Sequence, residues 1–166
     1  MSVAVIAVGA SGPLAEARVA GAVQQLREAR GLRVRAVSEG FANPAVGGAT
    51  LARFVNACVV VESTLGPRAH LDALRAIEQR LGRVRGQKDG ARAIDLDLVL
   101  DLGLVAPVRD PDVPHPRALT RDFVVLPALQ ALARAGLPAP AALVEAGRRL
   151  AFGARLLPVA LEVGGP

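Results

Sequence analysis

The chain contains no tryptophan and no tyrosine, only four phenylalanines, and a single cysteine. Each shortage excludes something. With aromatics this scarce there is no platform on which successive bases of a single strand could stack, so nucleic acid is not an expected partner. One thiol, Cys58, cannot close an intramolecular disulfide or form a thiolate metal cluster. Set in Val55-Asn56-Ala57-Cys58-Val59-Val60-Val61, it reads as a small buried side chain. Lysine is nearly missing as well, since 19 of the 20 basic residues are arginine. Arginine's planar fork suits phosphate, but so general a bias can be compositional, and the net charge of +5 is weak support for a polyanionic partner. No run of about 18 apolar residues occurs, and the N-terminus lacks the basic start and apolar stretch of a signal peptide. The expectation is a cytoplasmic protein with no membrane partner.

What the chain does have is aliphatic bulk. Of its 166 residues 52% are apolar, enough for one sizeable core, and a single domain over residues 1–166 is expected, as a monomer. Strand and helix signals alternate. Ser2 to Val8 is β-branched and stops at Gly9-Ala10-Ser11-Gly12-Pro13; Leu14 to Arg30 carries a helical stripe of Val19, Ala22, Val23 and Leu26. Leu32 to Val37 and Phe54 to Glu62 read as strands joined by a small-residue loop from Glu39 to Thr50. Pro67 opens a second helix with Leu71, Leu74, Ile77 and Leu81 on its apolar stripe and Gly82 as its stop, while His70 carries no partner signal. A strand from Arg92 to Leu100, a proline-rich segment from Pro107 to Pro116, helices over Thr120 to Ala135 and Pro140 to Leu150, and a last strand near Leu156 to Val163 complete the chain. The order β-α-β-β-α-β in the first hundred residues predicts an α+β fold: a ferredoxin-like antiparallel sheet with helices on both faces, three layers α/β/α.

The chemistry concentrates in Arg92-Ala93-Ile94-Asp95-Leu96-Asp97-Leu98-Val99-Leu100. On a strand, Asp95 and Asp97 leave one face roughly 6.5 Å apart while Ile94, Leu96 and Leu98 leave the other. Burying the aliphatic face forces both acids onto the opposite one. There they are either a solvated acidic face or the ligands of hard divalent cations that relieve their repulsion. Just upstream, Gly82-Arg83-Val84-Arg85-Gly86-Gln87-Lys88-Asp89-Gly90-Ala91-Arg92 is a glycine-punctuated basic loop. Acids for a metal beside cations for phosphate oxygens is the pairing that a magnesium-bound polyphosphate needs, which favours nucleotide chemistry. Glu78, beside the stripe of the second helix, either reaches a ligand or pairs with Arg75 one turn back. His115, between Pro114 and Pro116, is either a phosphate contact or a turn residue. Phe54 and Phe123 are by default core aromatics, whereas Asn56 in a valine-rich strand needs hydrogen-bond partners.

These residues carry a resemblance. Val5-Ile6-Ala7-Val8-Gly9, Phe41-Ala42-Asn43-Pro44, Phe54-Val55-Asn56, Ile77-Glu78 through Arg85, Arg92 through Leu100, Val113-Pro114-His115 and Arg121-Asp122-Phe123 resemble the 6-hydroxymethyl-7,8-dihydropterin pyrophosphokinase family. The resemblance implies transfer of pyrophosphate from ATP to a pterin alcohol in folate biosynthesis, with release of AMP. It implies two Mg2+ ions held by Asp95 and Asp97, and phosphate charge met by Arg83, Arg85 and Arg92. ATP would be held by Glu78, Arg92, Leu98, His115 and Arg121. The pterin would sit between Phe54 and Phe123, with Asn56 on its edge and Asn43, Pro44 and Val46 around it.

The chain departs from the family pattern at Gly9-Ala10-Ser11 in place of Gly-Ser-Asn, at Asn43-Pro44 in place of Thr-Pro, at Asp112, and at Asp89, where an aromatic is common. These changes bear on substrate affinity more than on metal binding. A non-catalytic relative that keeps ATP but has lost pterin turnover is the alternative they motivate, and an RNA-binding ferredoxin-like domain is a third reading, motivated by arginine content.

Overall fold

The computed structural model describes residues 1–43, 54–83, 94–104, 106–109, 112–151 and 157–161. The elements are β1 (Ser2–Ser11), α1 (Ala15–Glu28), β2 (Leu32–Val37), β3 (Gly40–Asn43), β4 (Phe54–Ser63), α2 (Pro67–Arg80), β5 (Asp95–Asp101), a 3-10 turn (Ala118–Thr120), α3 (Asp122–Arg134), α4 (Ala141–Ala151) and β6 (Leu157–Val159). All strand pairs are antiparallel, in the order β5-β1-β4-β3-β6, with β2 alongside β4 next to β3.

Side-chain alternation divides the core in two. Ala4, Ile6 and Val8 of β1, Val55, Ala57, Val59 and Val61 of β4, and Leu96 and Leu98 of β5 pack under α1 and α2. Their neighbours Val5, Cys58, Val60 and Val99 pack under α3 and α4. A strand buried on both faces reads as a continuous apolar run, which is how β4 is written. The expected three layers and antiparallel sheet are therefore present.

Three local expectations change and a fourth holds. β1 runs past Gly9 to Ser11, because Gly9 stays in the ladder opposite Asn56 and Asp95. The segment after Glu39 begins with a strand, Gly40–Asn43, held between β4 and β6. The buried stripe of α2 is His70, Leu74, Ile77 and Glu78, with Leu71 partly exposed, so the helix is turned by about one residue from the expected stripe. The cysteine is buried, as its surroundings suggest.

β5 is an edge of the sheet, and two of its backbone groups are engaged away from β1. The Leu96 N–H donates to Glu78 Oε1 at 2.8 Å, and the Val99 carbonyl accepts from the His115 N–H at 3.0 Å.

Candidate active site

Directly opposed residues of antiparallel strands share a face. The register therefore lines up Asp95, Gly9, Asn56 and Phe41 across β5, β1, β4 and β3, with Asp97, Ala7 and Cys58 in the next row. Both rows lie on the α3 side, since Leu96, Val8 and Ala57 pack on the other. α3 covers the Cys58 row, where the thiol sits 3.6 Å from the Val124 carbonyl; burial pushes that thiol far up, so it stays protonated. The Asp95 row lies one step beyond it, with Phe54 41% exposed on the same face of β4.

The floor of this row is bare at Gly9. A Cβ there would fall 2.7 Å from Asn56 Oδ1, so only glycine lets the amide lean across. Gly9 and Phe41 thus join the site; the signal for Gly9 was a glycine inside an otherwise sound strand pattern, which marks close approach more often than a stop.

Cations reach the acids from two sides. α2 ends with Gly82 at φ +85°, the Gly82 N–H bonding the Gln79 carbonyl at 3.1 Å and the Arg83 N–H the Glu78 carbonyl at 2.9 Å. This is a complete Schellman stop, and it folds the residue after the glycine back over the one five positions earlier. That pair usually makes an apolar contact. Here it is an ion pair: Arg83 Nη1 bonds Glu78 Oε1 and also lies 2.6 Å from Asp95 Oδ1. Glu78 is 5% exposed, and burial pushes its carboxyl up, with Asp95 adding to the push and the Leu96 N–H and Arg83 opposing it. Its partner is Arg83 rather than Arg75, which instead lies 3.9 Å from Asp72.

From the other side, Arg121 precedes the first residue of α3 and its guanidinium lies 5.5 Å from the centre of the Phe123 ring. His115 is fixed along the β5 edge and accepts the Arg117 N–H at Nδ1, 3.2 Å away. Burial, then the Asp95 carboxylate, push the Asp97 carboxyl up, while His115, Arg121 and Arg83 pull it down without prevailing. Among the described residues, the cations facing Asp97 do not offset its burial and the neighbouring Asp95 carboxylate.

Asp95, Asp97, Arg83, Glu78, His115 and Arg121 are brought together, and Asn56 and Phe54 share the acids' face of the sheet. Phe123, on the first turn of α3, is half-buried and packs against the margin of the core under that helix. Leu98 is not part of this face: its side chain is buried beneath α1 and α2, leaving only its backbone for a ligand. Pro44, Val46, Arg85 and Arg92, and the Asn43 side chain, lie outside the described residues. Asp112 is exposed, beside the bridge from Val108 to Val113.

Comparison with known proteins adds an independent line. The family model for 7,8-dihydro-6-hydroxymethylpterin-pyrophosphokinase (HPPK) matches residues 5–133. A 2-amino-4-hydroxy-6-hydroxymethyldihydropteridine pyrophosphokinase of Methylorubrum extorquens is 35% identical over 111 residues, 67% of this chain and 70% of that one. A protein of the same name from Bacillus subtilis is 32% identical over 126 residues, 76% of this chain and 75% of its own length. The fold is similar to that of Plasmodium falciparum HPPK-DHPS, with a TM-score of 0.60 at 10% identity, covering 90% of this chain and 43% of that one. The chain belongs to the 7,8-dihydro-6-hydroxymethylpterin-pyrophosphokinase family.

Proposed function

We propose that the Asp95 row is where this chain carries out its family's reaction, with Asp95 and Asp97 as magnesium ligands, Arg83 and Arg121 as phosphate contacts, and Asn56, Phe54 and Phe123 as the pterin site. The chain transfers the pyrophosphoryl group of ATP to the hydroxymethyl oxygen of the dihydropterin in folate synthesis. The pterin hydroxyl oxygen bonds to the β-phosphorus and gives up its proton to water, the bond from that phosphorus to the α,β-bridging oxygen breaks, and AMP leaves with that oxygen. No covalent enzyme intermediate is needed, so the protein's task is to position and to neutralise charge.

The observation that carries this reading is the row itself. Asp95 and Asn56 lie two strand spacings apart, about 10 Å, on either side of Gly9, over which the Asn56 amide leans. A planar heterocycle standing on this face would meet that amide with its edge while its alcohol arm points at the carboxylates. Phe54 and Phe123 supply apolar faces at the open end, and burial of a planar ring between them favours an uncharged aromatic ligand.

The donor set fits magnesium. Two carboxylates on one face would hold a small hard cation whose shell substrate phosphates complete, and the resemblance implies two such ions. The charge deficit at Asp97 points the same way. Bound there, magnesium supplies polarisation of the phosphoryl group and screens the polyphosphate. Arg83 and Arg121 take the charge that develops on peripheral and departing oxygens, and His115 donates towards a phosphate from the β5 edge. Arg85 and Arg92 add to this cationic set in the same reading, and Glu78 serves through Arg83 rather than by touching the nucleotide.

AMP release measured with and without the pterin alcohol tests the assignment. Asp95→Asn and Asp97→Asn should each abolish turnover while leaving the fold intact, because they remove ligand charge and also relieve repulsion in the free site. Wild-type AMP release from either variant would sink the metal-ligand reading; ATP binding with no pterin-dependent AMP release would favour the non-catalytic relative.

A further inference from the structure

We propose that Arg83 is the internal counter-cation of the acid pair: it holds Asp95 while no divalent ion is present, must yield Asp95 to admit one, and is kept in reach by Glu78, which it does not leave. The inference rests on Asp95 and Asp97 being metal ligands.

One guanidinium nitrogen, Arg83 Nη1, serves both carboxylates, bonding Glu78 and lying 2.6 Å from Asp95 Oδ1. A divalent ion on Asp95, at about 2.1 Å from its oxygen, would sit within about 5 Å of that nitrogen. Like charges at that range in a partly buried site oppose each other strongly, so Arg83 and the ion compete for Asp95 rather than share it.

The two ends of the bridge are unequal. The Glu78 side chain is 7% exposed and is pinned by the Leu96 N–H, whereas the Asp95 side chain is 29% exposed. The Gly82 stop fixes the Arg83 backbone directly over Glu78. Arg83 therefore pivots on Glu78 and lets go of Asp95. Once released, its Nη1 has an N–H freed towards the acids, where an anion would serve as a new partner, and a nucleotide's phosphate oxygens are that anion. The bare ion must displace Arg83 unaided; the ion with its nucleotide gives Arg83 somewhere to go. Metal and nucleotide binding are thereby coupled through one side chain, and by linkage each strengthens the other.

The test is a titration of Mn2+, a paramagnetic substitute for magnesium, into the full chain with and without a non-hydrolysable ATP analogue, free Mn2+ being read by electron paramagnetic resonance. Arg83→Gln should bind bare Mn2+ about five- to tenfold more tightly than wild type, and the factor by which the analogue strengthens Mn2+ binding should shrink correspondingly. Arg83→Lys, which keeps the charge, should stay within about twofold of wild type and guards against a folding artefact. Arg121→Gln is the control for the general field, since Arg121 influences Asp97 from just before α3 and is not seen bridging the acids among the described contacts. It should change bare Mn2+ affinity by no more than about twofold. Equal affinities for Arg83→Gln and wild type, or an equal gain from Arg121→Gln, would overturn the competition. If wild type takes up no Mn2+ even with the analogue, the metal reading itself fails and this inference falls with it.

Discussion

α2 buries two polar side chains two turns apart, and the chain treats them in opposite ways. His70 is fully buried with neither ring nitrogen hydrogen-bonded. Glu78, nearly as buried, spends its carboxylate on the Leu96 N–H and on Arg83. An unpaired polar group in the core costs stability and returns nothing locally, whereas a satisfied one can fix geometry. The difference marks which end of this helix supports the proposed site. The Glu78 end holds the strand that carries both acids; the His70 end faces the far end of β5, where the Asp101 carboxylate acts on the ring only through space.

Breaking the satisfied end should have the largest effect. Glu78→Ala leaves the Leu96 N–H unpaired and frees Arg83 to settle wholly on Asp95, so turnover should fall at least tenfold and stability by about 2 kcal/mol, discounted because Arg83 is partly exposed and keeps one carboxylate. Denaturant titration with AMP-release kinetics checks both, and a Glu78→Ala enzyme of normal turnover would show that the two ends of α2 are alike after all.

The unsatisfied end should show itself in acid. Burial holds His70 below its ordinary value of 6.5, Asp101 opposing it. A histidine kept neutral in the fold binds fewer protons than in the unfolded chain, so the stability it permits is present above pH 6.5 and is lost as pH falls from there through the lowered folded value. The slope there should approach about 1.4 kcal/mol per pH unit, and be absent from His70→Leu. Thermal melts of both proteins between neutral and mildly acidic pH decide it; parallel curves would mean that the ring finds a partner in solution.

At neutral pH the same His70→Leu should gain about 1 kcal/mol with turnover unchanged, since an apolar side chain of similar size removes an unpaired group without leaving a void. A loss of turnover would extend the functional region along the whole helix. The smallest effect belongs to Arg75→Ala. Its exposed pair with Asp72 spans 3.9 Å, so stability should move by less than about 0.5 kcal/mol and activity not at all.

Much of this was legible in the residues. Alternation placed Asp95 and Asp97 on one face because aliphatics on both sides of each acid leave no other register. The long strands and helices were legible for the same reason: their periods repeat often enough to be counted. β3 was not, since four residues opening on a glycine contain barely one repeat of a two-residue period. The stripe of α2 was misplaced because histidine is counted as polar, although His70, Leu74, Ile77 and Leu81 keep helical spacing as well as the set built on Leu71 does. The Glu78–Arg83 pair was within reach: a glycine stop at 82 brings residue 83 back onto residue 78. What no local pattern could supply was Gly9 beneath Asn56, which depends on the register of two strands almost fifty residues apart.

The acids stand on an outermost strand, and such strands invite other chains to pair with them, a common beginning of aggregation. Here the invitation is withdrawn by the groups that build the site. Glu78 takes the outward amide of Leu96, and the backbone of His115 takes the outward carbonyl of Val99. An incoming strand would have to displace both before it could extend its first pair of bonds. The contacts that shape the proposed site thus also occupy part of the edge that another strand would need.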